Sequence, residues 1–314
     1  MNISLNTVSI PYESASSDSL HTEVKSTPPV IIIGMHRSGT SLLTRILEQF
    51  GVFVGSRTNR NQESYWMNSI NYWLFRQGSS TWERPEGVDN LLAQPEICNV
   101  VQDYIQGIVS GPASIGYLGP AQWIKYRSLF RISRHWGWKD PRNTYTLPIW
   151  LRVFPGARII HIKRHGVDVA QSLRVRHQQA AAAAAARYRK RRWLYKNNPF
   201  APKRSGFAHA PKVAQLDQGF ELWKSYTQRA KKHVQNLGEK GLEIRYEDLL
   251  REPLKHLPGI LDFCGLEVSR RQLEEKLDQI TPERAFAYQG NPELVEFANK
   301  VSDYLAELGY QDGS

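Results

Sequence analysis

The chain has 314 residues, a formal net charge of +11 and a hydrophobic fraction of 41%. A chain of this length can bury one substantial core, and its composition excludes an intrinsically disordered protein, in which apolar residues are scarce. Its two cysteines, Cys98 and Cys264, have no metal-ligand spacing and form no disulfide framework. Without an apolar run near the roughly 20 residues of a membrane span, or a secretion signal, the sequence predicts a soluble cytoplasmic protein.

Alternating strand and helix patterns predict an α/β fold with a central parallel sheet flanked by helices. We expect the polar residues 1–27 to form a disordered tail and residues 28–314 to form a single domain. Val30–Ile33 is a β-branched run typical of a strand buried on both faces. Apolar residues at helical spacing then predict a helix that stops at Gly51, and a second stripe predicts a helix over residues 63–77.

Three further strands are predicted in the rest of the chain. Residues 89–133 predict helices joined by a loop at 111–120, which is rich in Gly and Pro. Residues 136–139 are a candidate strand, and residues 157–163 are a stronger one because a Pro–Gly turn precedes them. Residues 242–250, "LEIRYEDLL", predict a late strand that runs into a helix.

The net positive charge comes from one interval of the chain. No acidic residue lies between Asp168 and Asp217, whereas eleven Lys and Arg residues do, together with seven consecutive alanines at 180–186. Because alanine has the highest helix propensity, we predict a basic, Ala-rich helical insertion over residues 174–215; a flexible surface insertion explains the alanines equally well. The interval could attract an anionic partner or could be a solvated helix face.

The segment "GMHRSGTS", residues 34–41, joins the first predicted strand to the first predicted helix. A glycine-bounded loop in this place points backbone N–H groups at an anion, and the helix dipole adds positive potential. Both glycines and Ser41 match the nucleotide-triphosphate loop G-x-x-x-x-G-K-[ST], but Thr40 replaces the lysine and the cation is Arg37, inside the loop. Such a loop can hold one 5′-phosphate and a group attached to it, whereas it lacks the usual means to neutralise a metal-bound triphosphate.

This loop resembles the 5′-phosphosulfate loop of sulfotransferases, in which [PH]-R-S-G-T-[ST] replaces the lysine motif. The resemblance is closest to the branch that includes protein-tyrosine sulfotransferases and many bacterial enzymes. It implies a P-loop-like fold with helical insertions, 3′-phosphoadenosine 5′-phosphosulfate (PAPS) as co-substrate, the desulfated nucleotide PAP as product, and no metal. The implied cofactor contacts in the loop are His36, Arg37, Ser38, Gly39, Thr40 and Ser41.

Three other stretches are similar to sulfotransferase motifs and follow the family's order. "IKRHGVDVAQSLRVR" resembles the 3′-phosphate element, which implies that Arg164 and Ser172 hold this phosphate and that Arg176 helps. The charged fork of arginine and the neutral donor of serine suit that task. "IRYEDLL" resembles the late strand and implies that Tyr246 lies near the adenine, while "WKDP" implies that Lys139 faces the transferring sulfuryl group.

The resemblance implies in-line sulfuryl transfer to a hydroxyl or amine, for which Arg37 and Lys139 would supply fixed positive charge. A general base must take the proton of the acceptor. Related tyrosine-sulfating enzymes place a glutamate after the loop, and Glu63 lies at a comparable but longer distance. We take Glu63 as the candidate base, although a carboxylate at a helix start explains it equally well. His36 and Asp140 are alternative bases.

Three more residues near these motifs have expected roles. We expect His161 and His165, which flank the end of the 3′-phosphate strand, to be structural. Arg284, in "ITPERAFAYQ", is a weaker candidate for closing over the nucleotide. The sequence identifies neither the acceptor nor the oligomeric state.

Two other functions stay open at this stage. Aromatic residues within the basic stretch, such as Trp193, also occur in proteins that bind nucleic acid without catalysis. A small-molecule kinase with a degenerate loop is the second alternative. Arg164 with Ser172, together with Lys139, disfavours the first, and the absent loop lysine disfavours the second. We therefore expect a small-molecule, glycan or peptide acceptor, which could be anionic, and no nucleic acid.

Overall fold

Four parallel strands form one sheet among the residues that the computed structural model describes, which are 26–199, 207, 210–276 and 284–310. The strands, in the spatial order β2-β1-β3-β4, are β1 (Val30–Ile33), β2 (Gly137–Lys139), β3 (Arg158–Lys163) and β4 (Gly241–Arg245). All three pairings are parallel. The carboxyl ends of the strands therefore share one edge of the sheet, and the α/β prediction is confirmed.

Strand β1 is buried on both faces, as its β-branched composition predicts. Ile31 and Ile33 belong to a core that contains Trp138 and Trp150, whereas Val30 and Ile32 belong to a second core on the other face. Helices cover each face because only packing there removes these side chains from water.

The helices account for most of the remaining described chain. Their bounds are α1 (Thr40–Gln49), α2 (Tyr65–Gln77), α3 (Gly87–Leu92), α4 (Pro95–Ser110), α5 (Ile115–Tyr126), α6 (Asn143–Val153), α7 (Gly166–Lys190), α8 (Arg192–Lys196), α9 (Leu216–Leu237), α10 (Tyr246–Arg251), α11 (Pro253–Phe263), α12 (Arg270–Glu274), α13 (Pro292–Lys300) and α14 (Ser302–Glu307). The predicted strands and the helices at 40–50 and 63–77 are confirmed within one or two residues at their ends.

The loop predicted at 111–120 is wrong. Pro112–Ser114 forms a short 3₁₀ helix, and α5 begins at the next residue. Helical geometry breaks inside this stretch at Gly119, whose φ is 70°, immediately before Pro120. Glycine and proline here mark helix ends and a kink, which are positions that also favour them.

Helix α7 continues through the alanines at 180–186, so the helical interpretation of this tract holds. Its last buried residue is Leu173, and from there to Lys190 every residue of the helix is at least partly exposed. Despite its length of 25 residues, neither α7 nor another helix in the described ranges is long and apolar enough to cross a bilayer. The predicted tail at 1–27 lies almost entirely outside the described residues, and the domain boundaries stay predictions.

Candidate functional site

Most of the predicted site residues lie at the end of a strand or directly after one, and these meet at the shared carboxyl edge of the sheet. The loop 34–39 follows β1, Lys139 ends β2, Arg164 follows β3 and Tyr246 follows β4. Open α/β sheets bind ligands at this edge. One cavity of about 250 Å³ is lined there by ten of the twelve predicted residues, namely His36, Arg37, Gly39, Thr40, Ser41, Glu63, Lys139, Arg164, Arg176 and Tyr246.

Both glycines of the loop are required by its geometry. Gly34 has a φ of 135°, and a Cβ on it would lie 2.6 Å from the carbonyl oxygen of Ile162. Gly39 has a φ of 92°, and its Cβ would lie 2.2 Å from the ring of Tyr246. Residues other than glycine rarely adopt such φ values. The loop therefore packs directly against β3 and against the first residue after β4.

The loop presents several hydrogen-bond donors without a partner in the described chain. The N–H groups of Gly39, Thr40 and Ser41 have no acceptor there, as is usual for the first turn of a helix. The hydroxyl of Ser38 is buried and also lacks a partner among the described residues. We had expected the N–H of Ser38 to join these donors, but it donates to the carbonyl of Met35 at 3.3 Å instead. These donors suit a phosphate or sulfate group.

The loop and the predicted 3′-phosphate element are in contact. Arg37, whose φ is 71°, donates from Nε to the hydroxyl of Ser172 at 2.8 Å. Arg164 donates to the carbonyl of Arg37 at 3.4 Å and to that of Arg284 at 3.1 Å. Its guanidinium also lies 3.4 Å from the carboxylate of Asp168. Two sequence motifs that are 135 residues apart are thus in direct contact and form one continuous surface.

Positive charge accumulates at this surface. Burial, followed by the charges of Arg176, Arg164 and Arg284, lowers the pKa of Arg37. Burial also lowers the pKa of Arg176. Among the described residues, neither Arg37 nor Arg176 has a carboxylate within 4 Å. An anion bound here would relieve the repulsion between these guanidinium groups.

Lys139 and Glu63 form a buried ion pair in the wall of the cavity. Their Nζ and Oε1 atoms are 3.0 Å apart, and the side chains are 2% and 8% exposed. Lys139 also donates to the hydroxyl of Ser41 at 3.3 Å, while Asn59 and Asn68 donate to Oε2 of Glu63 at 2.9 and 3.1 Å. Burial lowers the pKa of Lys139, and the nearby Glu63 offsets part of this effect.

The alternative base candidates differ in their access to the cavity. His36 lines it, and its Nε2 atom is buried without a partner in the described chain. Burial and then neighbouring cations, Arg176 first, hold the pKa of His36 well below its usual value, so the ring is neutral at pH 7. Asp140 accepts hydrogen bonds from Arg142 and Asn71 on its two oxygens, at 2.9 and 3.0 Å, and does not line the described cavity. Both carboxylate oxygens of Asp140 are thus already engaged in hydrogen bonds with neighbouring residues.

The two histidines near the 3′-phosphate strand are packed within the protein. His161 is fully buried and contacts Glu243 through Nδ1 at 3.0 Å. His165 stacks on Tyr288 with ring centroids 4.3 Å apart, and burial followed by nearby arginines lowers its pKa to about 3. Both positions suit the expected structural role.

A second cavity of about 660 Å³ adjoins the first, and several of its residues were not predicted. Ser172, Arg176, Arg60 and Asn61 line it, and the last three also line the first cavity. The carbonyl of Asn61 accepts a hydrogen bond from the hydroxyl of Ser41 at 2.8 Å. Arg60 and Asn61 were not predicted. The signal that could have identified them is the polar run "TNRNQES", residues 58–64, between two helical patterns.

Three solved structures are similar to this chain at low sequence identity. The sulfotransferase domain of the Synechococcus PCC 7002 olefin synthase is 17% identical, with a TM-score of 0.45, and the match covers 90% of this chain and 98% of that one. The sulfotransferase domain of the curacin biosynthetic pathway is 15% identical, with a TM-score of 0.46, and the match covers 88% of this chain and 99% of that one. Sulfotransferase STF9 from Mycobacterium avium is 12% identical, with a TM-score of 0.38, and the match covers 87% of this chain and 76% of that one. A search of curated protein sequences found no significant match.

A family model gives the decisive comparison. The model described as the sulfotransferase family matches residues 28–270, which contain every predicted catalytic and cofactor-binding residue. The match extends from the strand before the loop to beyond β4 and thus covers the whole sheet. The chain therefore belongs to the sulfotransferase family.

Proposed function

We propose that the protein transfers a sulfuryl group from PAPS to a hydroxyl or amine of an acceptor. The observation that carries this proposal is a single cavity that combines unpartnered loop N–H groups, a cluster of arginines and the Lys139–Glu63 pair. Fixed donors and positive charge are what a displacement at a sulfuryl group needs from a protein. The family assignment also disfavours the kinase and nucleic-acid alternatives.

The residues present fit the two anionic groups of PAPS. The N–H groups at the start of α1, with Arg37, would hold the 5′-phosphosulfate. Arg164 and Ser172 would hold the 3′-phosphate, because they lie within one network around Arg37. Tyr246 would contact the adenine; its ring already lies 5.0 Å from the guanidinium carbon of Arg164.

PAPS, when bound, supplies a sulfuryl group attached to its 5′-phosphate, and this phosphate is the leaving group. The protein would contribute the charge of Lys139, which lies beside Ser41 in the first turn of α1. Because Lys139 is buried, where the effective dielectric constant is low, its ammonium group interacts strongly with any negative charge placed nearby. Arg37 would act in the same way from the loop.

Glu63 is the base that the geometry supports best. Its carboxylate lines the same cavity as Lys139, and two asparagines fix its orientation. A fixed carboxylate next to the transferring group can accept the proton of the acceptor. His36 is the second candidate because it is neutral and has a free nitrogen, but its lowered pKa makes it a weaker base.

The surroundings of the cavity favour an acceptor that carries negative charge. Arg60 and Arg176 line both cavities, and among the described residues neither has a carboxylate within 4 Å. A small molecule, glycan or peptide with an acidic group near its hydroxyl would pair with them. Of these classes, the acceptor screen described below selects one.

A thermal-shift experiment tests the donor first. PAP at a hundredfold excess over its dissociation constant should stabilise the protein by about 2.7 kcal/mol, and ATP should do so much less. A shift with ATP and none with PAP would overturn the proposal in favour of the kinase alternative. Incubation with labelled PAPS and panels of phenols, sugars, glycans, lipids and peptides then identifies the acceptor.

A further inference from the structure

The outer half of α7 and the short helix α8 contribute no residue to the buried core of the described chain. Lys190 lies 18 residues after Ser172, which corresponds to about 27 Å along the helix. Every residue of α7 after Leu173 is at least partly exposed, and α8 has no buried residue. We name residues 187–196 the basic tip. Because the alanine tract separates it from the cavities, the tip is not explained by sulfuryl transfer.

The basic tip carries a dense and uncompensated positive charge. Six of its ten residues are cationic and none is acidic, namely Arg187, Arg189, Lys190, Arg191, Arg192 and Lys196. Within the described part of the chain, no ion pair involves any of them. An anionic surface would be attracted to this segment by a field that no ion pair among the described residues reduces.

The tip also exposes large apolar side chains. Trp193 is 72% exposed and Leu194 is 54% exposed, and the two are adjacent in α8. Other aromatic residues are engaged with each other, since the rings of Tyr188 and Tyr195 lie 5.6 Å apart and both contact Phe207. Exposed tryptophan and leucine next to several cations are typical of helices that lie in a membrane interface.

We propose that the basic tip binds peripherally to an anionic lipid bilayer, with Trp193 and Leu194 entering the headgroup region. Its cations match the negative surface of such a bilayer, and each basic residue near that surface increases partitioning about fivefold. A single-stranded nucleic acid is the competing occupant. It fits less well, because leucine offers no face for a base to stack on and because three of the aromatic rings pack on each other.

Vesicle co-sedimentation of the full chain tests this inference. We expect strong binding to phosphatidylcholine vesicles that contain 30% phosphatidylglycerol, weak binding to pure phosphatidylcholine, and loss of binding at high salt. The pair Arg189→Glu and Arg191→Glu should lower partitioning by roughly 25-fold or more. The pair Arg270→Glu and Arg271→Glu makes the same change in net charge on α12 and should have a much smaller effect.

The apolar contribution needs its own variants. Replacing Trp193 and Leu194 with alanine should lower partitioning about tenfold or more, whereas Val100→Ala, at a residue that is 70% exposed on α4, should not. Equal binding to neutral and anionic vesicles, or no effect of the tip variants, would overturn the inference. Binding to a single-stranded oligonucleotide without vesicle binding would overturn it in favour of nucleic acid. The PAP thermal shift should persist in the tip variants, so this test and that of the proposed function fail separately.

Discussion

Two lysine–glutamate pairs each involve the last residue of a strand in the same sheet, and they differ in burial and in what surrounds them. Lys139, the last residue of β2, lies 3.0 Å from Glu63. Lys163, the last residue of β3, lies 2.6 Å from Glu243 on the neighbouring strand. In both pairs a lysine that ends a strand contacts a glutamate, yet only the first pair lines the cavity beside the loop that follows β1.

The surroundings disfavour the charged form of the lysine in the first pair, whereas they favour the charged form of the glutamate in the second pair. Burial lowers the pKa of Lys139, and Glu63 only partly offsets it. Burial alone would raise the pKa of Glu243, but contacts with His161 and Lys163 outweigh it and lower the value to about 2. The second pair is therefore stabilised by its contacts, whereas the first is held despite a desolvation cost, which is typical of a functional site.

The largest expected effect separates the two lysines. Lys139→Met should reduce sulfuryl transfer by about 10²–10³-fold, because it removes a charge placed near the reacting group. Lys163→Met should leave transfer within about threefold and should lower the melting temperature, since it leaves Glu243 short of one of its partners. Labelled PAPS with an acceptor found by the screen measures the first effect, and thermal unfolding measures the second.

A double variant distinguishes lost chemistry from lost folding. Lys139→Met alone buries the carboxylate of Glu63 without its cation, which is itself strongly destabilising. Combining Lys139→Met with Glu63→Gln removes both charges and should restore much of the melting temperature while transfer stays low. Recovery of transfer in the double variant would show that Lys139 only supports the fold.

The two glutamates give the next effect. Glu63→Gln should reduce turnover by about 10²-fold, because an amide cannot take the proton of the acceptor, while the affinity for PAP stays unchanged. Glu243→Gln is the matched control and should turn over normally. If Glu63→Gln is as active as the parent protein, the base lies elsewhere, and His36→Ala becomes the decisive variant.

Arginine substitutions on either side of Ser172 test the 3′-phosphate site. Arg164→Ala should weaken PAP binding by about 1.5–3 kcal/mol, since it removes a charge-assisted contact. Arg174→Ala is the control, because Arg174 pairs with the exposed Glu293 at 2.6 Å and lines neither cavity. Calorimetric titration with PAP that gives equal affinities for the two variants would refute the assignment of Arg164.

The sequence predicted the site best where function depends on local pattern. A β-branched run, a glycine-bounded loop and a helical stripe determine β1, the loop and α1 without help from distant residues. The resemblance to sulfotransferase motifs implied that Lys139, Arg164 and Tyr246 lie near the loop, and this agrees with the ends of parallel strands meeting at one edge. Burial of β1 on both faces followed from the same local signal.

Contacts between distant residues could not be predicted in the same way. Lys139 and Glu63 were both named, but their pairing across 76 residues depends on how α2 packs. Arg60 and Asn61 were missed because a polar run before a helix also describes an ordinary surface loop. Residues 111–120 were misassigned because glycine and proline favour helix ends and kinks as well as loops.

The last expected effect is no larger than that of Arg164→Ala; it concerns stability in acid and comes from the second pair. Because the pKa of Glu243 is about 2 in the folded protein, against a usual 4.5, the folded state binds fewer protons there than the unfolded state. Its contribution to the free energy of unfolding is therefore fully present above about pH 4.5 and is lost as the pH falls toward 2. Glu243→Gln removes this contribution at every pH.

Urea unfolding of the parent protein and Glu243→Gln between pH 7 and pH 3 measures the difference. The parent should be more stable at pH 7 by about 1.5–3 kcal/mol, the value of hydrogen bonds to a charged group, and the gap should narrow below pH 4.5. Glu293→Gln removes a pair at the exposed surface, where solvent screens the charges, and should change stability little. A gap for Glu243→Gln that stays constant from pH 7 to pH 3 would mean that packing, and not the charge of Glu243, joins β3 to β4 at this edge. The contrast with the Lys139–Glu63 pair would then rest on the first pair alone.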